Sequence, residues 1–182
     1  MTSPATTGQT TWELDASHST VEFSVKHMMI STVKGHFTGV KGTIVTDMAD
    51  HTKGSVDVTI DAATVDTRDE KRDGHLKSPD FFDVANFPTI TFKSTRVTAQ
   101  DATHLNVVGD LTIHGVTKQV ELDTELNGEG DTPFGTHIAS FSATTKINRK
   151  DFGLTWNVGL EAGGFLVSDE IKISIEGEAT QK

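Results

Sequence analysis

The histidines are the side chains of this sequence best suited to acid–base or metal chemistry. The chain has 8 histidines and no cysteine. They are His18, His27, His36, His51, His75, His104, His114 and His137. None falls in the H-x-H or H-E-x-x-H spacing that brings two ligands to one metal ion. The sequence therefore predicts no metal site, and no thiol chemistry.

Motifs for nucleophilic catalysis or phosphate binding are also missing from the sequence. It contains no G-x-S-x-G, no G-x-x-x-x-G-K-[ST] and no G-x-G-x-x-G. The glycine-rich stretch "GEGDTPFG" lies between two predicted strands, so it indicates a hairpin loop. Asp80 and Asp83 could form an acid–base pair, but acids near a helix start more often act as caps. We therefore expect a protein that is not an enzyme and has no cofactor.

Alternating apolar and polar residues along most of the chain predict β-strands. We expect strands near 19–28, 36–47, 54–65, 88–99, 103–113, 117–127, 137–147 and 170–179. The alternation is clearest in "SVDVTID", "QVELDTEL" and "EIKISIEG". "TIHGVTK" predicts a tight hairpin, with Gly115 at a positive φ.

One segment breaks the strand pattern. Residues 66–88, "DTRDEKRDGHLKSPDFFDVANFP", lack alternation and contain several helix formers. We expect a short helix near 68–77 and a helical turn from Pro79 to Phe82. The fold class is therefore all-β: a single antiparallel barrel of about eight strands, wide enough for one small ligand as in lipocalins, with a helical insertion near residues 68–82.

The composition indicates one soluble domain that does not bind nucleic acid. The chain has 182 residues, 35% hydrophobic and 23% charged, with a net charge of −10 that repels nucleic acid and anionic membranes. Residues 1–11 read as a flexible polar tail without the features of a signal peptide, and residues 12–182 as the barrel. We therefore expect a cytoplasmic protein, and a homodimer is compatible with the sequence.

Five motifs in order resemble the YceI-like family, also called polyisoprenoid-binding proteins. They are "WELDASHSTVEFSVKH", "VKGHFTGVKGTI", "RDGHLKSPDFFDVANFPTITFKST", "VVGDLTIHGVTKQVEL" and "INRKDFGL", and together they span roughly residues 12–179. The resemblance implies a lipocalin-like barrel with a helix by the opening and a long apolar cavity. It also implies a ligand with a long isoprenoid chain, such as a polyprenyl phosphate or an isoprenoid quinone.

The stretch "VEFSVKHMMIS" suggests which residues form the cavity wall. Val21, Phe23 and Val25 share one face of a strand, and His27 and Met29 continue that face. His27 either bonds a backbone carbonyl at the strand end or lies at the cavity wall near the opening. In "ASFSATTKI", small residues beside Phe141 leave room, so we expect that the face containing Ala143 borders the cavity.

Large apolar residues near the helical insertion are further candidates. Leu76 and Phe81 are expected partly to face the cavity at its mouth, and Phe82 to be mainly structural. The glycine-rich stretch that follows Phe152 is either a loop with Trp156 plugging the barrel or a flexible flap around the ligand. The expected ligand-binding residues are Phe23, Val25, His27, Met29, Phe37, Arg72, Leu76, Phe81, Phe92, Leu111, Phe141, Ala143, Arg149, Phe152, Trp156 and Phe165.

Four cations are candidate partners for an anionic head group: Lys26, Lys34, Arg72 and Arg149. Arginine can bind phosphate with two parallel hydrogen bonds, and lysine acts as a point charge. Arg72 could equally be solvated, and Arg149 could pair with a nearby carboxylate such as Asp151. A quinone head would need only a hydrogen-bond donor such as His27 or Trp156.

The expected function is non-covalent binding, storage or transport of a long-chain isoprenoid. Two rival functions remain. An enzyme acting on a lipid head group would require a buried histidine–carboxylate pair at the mouth. A stress-response scaffold would have a barrel filled by its own side chains.

Overall fold

The chain folds as an antiparallel β-barrel. The computed structural model describes residues 8–182. Within them, eleven strands and one α-helix follow in the order β1 (Gln9–Leu14), β2 (Thr20–His27), β3 (Ser31–Phe37), β4 (Val40–Asp47), β5 (Ser55–Asp61), β6 (Val65–Asp66), α1 (Glu70–Lys77), β7 (Thr89–Ala99), β8 (His104–Ile113), β9 (Val116–Asp131), β10 (His137–Asn148) and β11 (Glu170–Gln181). None of the helices in this range is long and apolar enough to cross a membrane.

Eight of the strands close the barrel. β1 pairs antiparallel with β4 on one side and with β11 on the other. The ring continues from β4 through β5, β7, β8, β9 and β10 to β11. β11 also pairs with β2, and β2 leads outward into β3 and β6. The predicted all-β barrel is confirmed.

The predicted helical insertion lies between β6 and β7. The carboxylate of Asp69 accepts the backbone N–H of Arg72 and so caps the first turn of α1. Turns follow the helix, in which the N–H of Phe82 donates to the carbonyl of Leu76 and that of Phe87 to the carbonyl of Asp83. The helix begins two residues later than its predicted start near residue 68, because Asp69 is its cap.

The connections between strands gather at two ends of the barrel. At one, here called the helix end, lie α1, the turn between β8 and β9, and the long loop of residues 149–169. At the other, here called the loop end, lie the connections between β4 and β5, between β7 and β8, and between β9 and β10. The β8–β9 turn is the predicted tight hairpin, with φ of 54° at His114 and 72° at Gly115.

The predicted tail and one predicted strand differ from the structure. β1 begins at Gln9, so the predicted tail of residues 1–11 extends too far, although residues 1–7 lie outside the described part of the chain. The predicted strand 36–47 is the end of β3 and the whole of β4. β2 stops at His27 because Met28 and Met29 turn the chain with φ of 51° and 63°.

Candidate functional site

An elongated cavity runs through the barrel. It has a volume of about 570 Å³ and is lined from most strands by apolar side chains. Strand β11 shows its length, because Ile171, Ile173, Ile175, Gly177 and Ala179 all line it. The eight steps from Ile171 to Ala179, at about 3.3 Å each and tilted as barrel strands are, span about 20 Å along the barrel axis. Such a shape suits a long, thin apolar ligand.

The interior of the barrel is hollow along β11 rather than packed throughout. Ile171, Ile173 and Ile175 point inward, yet all three are only half-buried. In a close-packed core, inward-facing aliphatic side chains of this size are almost wholly buried. This argues against the filled barrel that the scaffold hypothesis requires.

Three phenylalanines of the wall lie flat against glycines of neighbouring strands, and this keeps the cavity open. A Cβ at Gly177 would lie 2.3 Å from the ring of Phe141. A Cβ at Gly109 would lie 2.5 Å from the ring of Phe92, and one at Gly35 would lie 2.4 Å from the ring of Phe23. Carbon atoms in contact normally stay about 3.5 Å apart or more, so any larger residue would drive the ring from the wall.

The cavity opens at the loop end. Its lining residues that are exposed to solvent lie almost entirely on the three connections there or on the strand ends beside them: Met48 and Ser55, then Ala102 and Thr103, then Asn127, Gly128 and Glu129. At the helix end, the lining residues Phe81 and Leu154 are buried. The mouth therefore lies opposite the helix, and the expectation that Leu76 and Phe81 form the mouth was wrong.

The helical insertion closes the far end of the cavity. Leu76, Phe81 and Phe82 all line the cavity, and the ring of Phe82 meets that of Phe37 edge-on at 5.6 Å. Phe152 lies behind them in the core and is fully buried, so it does not line the cavity as expected. The helix thus acts as a plug.

Arg149 is held in a cage of backbone carbonyls at this closed end. Its Nε donates to the carbonyl of Ser168 at 2.9 Å, and its NH1 to those of Leu154 and Trp156 at 2.7 and 2.9 Å. The residue is only 2% exposed, and burial lowers the pKa of its guanidinium. The nearest carboxylate oxygen, on Asp169, is 3.8 Å from NH2. Although Arg149 lines the cavity, its hydrogen bonds tie down the loop of residues 149–169.

The other three candidate cations lie away from the mouth. Arg72 donates from Nε to the hydroxyl of Thr67 and from NH2 to its carbonyl, both at 2.8 Å. Lys34 pairs with Glu22 at 3.4 Å on the outer surface. Lys26 donates to the hydroxyl of Thr32 at 2.9 Å. The expectation that Arg72 lines the ligand site was wrong, because its side chain fastens α1 to the preceding turn.

His27 and Met29 do not continue the cavity wall. His27 forms a bridge with Val167 at the helix end, and Met29 lies in the β2–β3 turn, 65% exposed. The Sδ of Met29 instead covers Gly164 of the long loop. Both expectations failed because the strand ends at His27 and the positive φ values redirect the chain.

The aromatic residues of the long loop also lie outside the cavity. Trp156 packs edge-on against His75, with ring centroids 4.6 Å apart, and meets Phe81 at 5.4 Å. Phe165 is exposed, with the Nζ of Lys150 5.8 Å from its ring centroid. Trp156 therefore buttresses the plug from outside, and Phe165 is a surface residue.

The structure places the remaining expected residues on the cavity wall. The expected residues that line it are Phe23, Val25, Phe37, Leu76, Phe81, Phe92, Leu111, Phe141, Ala143 and Arg149. Trp12 of β1 lines it too, and its Nε1 donates to the hydroxyl of Thr46 at 2.8 Å. Trp12 was missed because the residues before it were taken as a tail. The alternation of "TTWEL" could have indicated that Trp12 lies in a strand and faces inward.

Histidine–carboxylate pairs occur only at exposed positions in the described part of the chain. Near the loop end, His104 and His137 bond Asp101 and Asp131 at 2.9 and 2.7 Å, and these bonds raise the pKa of both histidines. At the helix end, the Nε2 of His75 is 2.9 Å from a carboxylate oxygen of Asp80. The Nε2 of His137 also lies 3.8 Å from a carboxylate oxygen of Glu129 in the lining, but these two side chains are 32% and 45% exposed. None of these pairs is the buried one that the enzyme hypothesis requires.

One group of side chains within residues 8–182 could hold a metal ion. The Nδ1 of His18 lies 2.9 Å from a carboxylate oxygen of Asp15 and 3.6 Å from one of Glu178. The hydrogen bonds from the N–H and hydroxyl of Ser17 and from His18 lower the pKa of Asp15 to about 2. These contacts account for the cluster without an ion.

The sequence matches a family model described as the YceI-like domain over residues 12–179. A similar curated protein is the UPF0312 protein SA2479 of Staphylococcus aureus strain N315. It is 36% identical over 170 residues, which cover 93% of this chain and 96% of the relative.

Solved structures share the fold. BcnA of Burkholderia cenocepacia superposes with a TM-score of 0.78 at 25% identity, covering 91% of this chain and 98% of the other. The YCEI protein of Campylobacter jejuni superposes with a TM-score of 0.73 at 36% identity, covering 86% of this chain and 90% of the other. A polyisoprenoid binding domain of Saccharophagus degradans superposes with a TM-score of 0.70 at 16% identity, covering 94% of this chain and 98% of the other. At this identity the superposition shows only that the fold is similar.

Proposed function

The chain belongs to the YceI-like family, and we propose that it binds a single long-chain isoprenoid, non-covalently, inside the barrel. The observation that carries the proposal is the hollow apolar cavity of about 570 Å³, open at one end and plugged at the other. The Saccharophagus degradans neighbour, whose name describes a polyisoprenoid binding domain, lends further support.

The binding mechanism is replacement of water by an apolar wall. Each CH₂ group that leaves water contributes about 0.8 kcal/mol, so several isoprene units outweigh any single exposed polar contact of about 1 kcal/mol. The chain enters at the loop end and extends towards the plug of Leu76, Phe81 and Phe82. The head group stays at the mouth, where Thr103 and Asn127 offer polar atoms.

An uncharged head group, such as that of a quinone or an alcohol, suits this mouth better than a phosphate. Arg149 is the only arginine or lysine in the lining, and it lies at the closed end with its donors occupied by carbonyls. The mouth instead includes the carboxylate of Glu129. A phosphate there would meet this carboxylate without a lysine or arginine of the lining beside it.

The proposal is tested by mass spectrometry of organic extracts from the purified protein. We expect isoprenoid lipids in the extract of the wild-type protein. Ala143→Trp, which places a large side chain in the cavity, serves as the matched control and should yield an empty extract. The proposal fails if the wild-type protein carries no isoprenoid and also fails to retain one that is added in ethanol.

A further inference from the structure

The depth of the cavity limits how much of a prenyl chain it can bury. On β11 the lining extends from Ile171 near the closed end to Ala179 near the mouth. This distance is about 20 Å along the barrel axis. Each carbon–carbon bond, about 1.5 Å long, advances an extended chain by about 1.25 Å, so one isoprene unit with its four chain carbons is about 5 Å long. The cavity is therefore about four isoprene units deep.

The volume of the cavity leads to the same number. A cavity of about 150 Å³ in a protein interior holds one benzene molecule, so each carbon atom requires roughly 25 Å³. The five carbons of an isoprene unit then require roughly 125 Å³. The cavity has a volume of about 570 Å³, which is enough for about four and a half units. Because depth and volume agree, the space fits one extended chain rather than a longer chain folded back on itself.

The closed end is held rigidly by hydrogen bonds within the helical insertion. The N–H of Phe82 donates to the carbonyl of Leu76 at 2.9 Å, and the N–H of Phe81 to the carbonyl of Ser78 at 3.0 Å. Both rings line the cavity, so they are attached to a turn that is fixed by its own backbone. A chain that reaches these rings cannot advance without breaking that turn.

Phe81 separates the cavity from two more aromatic rings. Its side chain is 8% exposed, and its ring centroid lies 5.1 Å from that of His75 and 5.4 Å from that of Trp156. Phe81 lines the cavity, whereas His75 and Trp156 lie behind it. Removing the ring of Phe81 would therefore deepen the cavity as far as these two side chains. The added space is about six carbons in size, which is close to one isoprene unit.

The mouth sets no such limit, because it is open to solvent. Thr103, Asn127 and Glu129 line it and are exposed. Each isoprene unit that fits inside leaves water and strengthens binding by about tenfold or more, whereas a unit beyond the mouth stays in water and adds little. Affinity should therefore depend on chain length only up to the depth of the cavity.

We propose that the cavity selects a prenyl chain of about four isoprene units, or about twenty carbons, and that Phe81 sets this limit. The inference rests on the proposed function, because it specifies the chain that the same cavity binds. A shorter chain leaves empty apolar volume at the closed end. A longer chain keeps its additional units outside the mouth, where they remain in contact with water.

The test measures which chain lengths the protein retains from a mixture. Protein is mixed with equal amounts of prenyl alcohols of two to eight isoprene units, unbound lipid is removed by gel filtration, and the retained alcohols are quantified by mass spectrometry. We expect retention by the wild-type protein to rise about tenfold per unit up to about four units, and less than about twofold per unit beyond. Because wild type and variants meet the same mixture, aggregation of the long alcohols affects all of them alike.

Two variants should move the limit in opposite directions. Phe81→Ala should move it from about four units to about five, because the cavity then reaches Trp156. Ile171→Trp should move it to about three, because the half-buried Ile171 lines the closed end and the larger side chain fills about one unit of empty volume. If Phe81→Ala does not fold, Ile171→Trp decides the outcome.

Two further phenylalanines provide matched controls. Phe87 belongs to the same insertion, but its ring packs against His114 outside the cavity, so Phe87→Ala should retain the wild-type range of lengths. Phe92 is as buried as Phe81, but it lies on the side wall against Gly109. Phe92→Ala should therefore weaken retention of every length, because the wall loses contacts, and leave the limit at about four units.

Retention that keeps rising up to eight units in the wild-type protein would overturn the length limit. A wild-type limit in folded Phe81→Ala and Ile171→Trp would overturn the role of Phe81, with folding checked by circular dichroism. If Phe92→Ala or Phe87→Ala moves the limit as far as Phe81→Ala does, depth at Phe81 does not select the chain. All of these results leave the proposed function standing. Failure of the wild-type protein to retain any prenyl alcohol would overturn the proposed function itself.

Discussion

Replacing Gly177 by alanine should close the cavity by moving one aromatic ring. A Cβ at this position would lie 2.3 Å from Cζ and 2.5 Å from Cε1 of Phe141. Both are more than about 1 Å shorter than a normal carbon–carbon contact. Phe141 pairs directly with Gly177 and lines the cavity, so we expect its ring to move into the lumen.

The size of the effect follows from the volume that the ring would occupy. A phenylalanine side chain displaces about one isoprene unit of the ligand, which has five carbons worth about 0.8 kcal/mol each. The upper bound is thus about 4 kcal/mol, or roughly a thousandfold weaker binding. If the chain shifts part of the way towards the mouth, about 2 kcal/mol and roughly thirtyfold remain.

Trp12 provides the assay because it lines the cavity. Trp156 lies outside the lining, so a Trp156→Phe background leaves Trp12 as the only tryptophan. Titration with a long-chain prenyl alcohol should change the emission of Trp12. Gly130→Ala is the matched control, since its new Cβ would meet no atom within 4 Å.

A double variant distinguishes steric blocking from general damage. Phe141→Ala in the Gly177→Ala background removes the displaced ring and should restore affinity to within about tenfold of wild type. The reasoning is refuted if Gly177→Ala binds as tightly as Gly130→Ala. It is also refuted if removing the ring of Phe141 restores nothing while circular dichroism reports a native fold.

Three further predictions concern the cavity, the carbonyl cage and pH. Ala143→Trp should abolish ligand retention while the protein still folds, because the new side chain fills empty volume; an unfolded protein by circular dichroism would mean that the site is packed core. Arg149→Met should lower the free energy of unfolding, measured in urea, by about 3 kcal/mol or more, because buried carbonyls lose their donors. Stability equal to wild type would contradict the claim that this arginine holds the loop through its carbonyls. The bond to Asp101 raises the pKa of His104 above 6.5, so its contribution to stability is complete below pH 6.5 and is lost as pH rises through the raised value. His104→Gln should therefore destabilise the protein more at pH 6 than at pH 9 in urea denaturation, and an equal effect at both would contradict this linkage.

The barrel was predictable because alternation survives in almost every strand. "EIKISIEG" and "SVDVTID" each show one apolar face, and a chain with many such segments has few ways to bury them other than a sandwich or a barrel. Strand β1 was not predicted because Thr10 and Thr11 give only a weak indication of a buried face. The break between β3 and β4 was not predicted because the apolar pattern continues on both sides of Gly39.

The cavity wall was predictable where it consists of strand residues and not where it depends on register. Phe141 and Ala143 follow from alternation within β10. The glycine beneath Phe141, Gly177, belongs to β11, and only the pairing of these strands brings them together. Sequence periodicity carries no information about such cross-strand partners.

The location of the mouth was missed for a similar reason. Leu76 and Phe81 line the cavity as expected, but the sequence does not say whether the helix beside them opens or plugs the barrel. Arg149 was expected to bind a head group. Its true partners are carbonyls of a loop without regular structure, and backbone acceptors leave no pattern in the side chains.

The central claim is that the apolar chain, and not the head group, provides the affinity. The most direct test titrates Trp156→Phe protein with prenyl alcohols and prenyl phosphates of increasing length, following Trp12 emission. We predict that affinity rises about tenfold or more with each added isoprene unit until the chain fills the cavity, and that each alcohol binds at least as tightly as the phosphate of the same length. Affinity that is flat in chain length and collapses when the phosphate is removed would contradict the account.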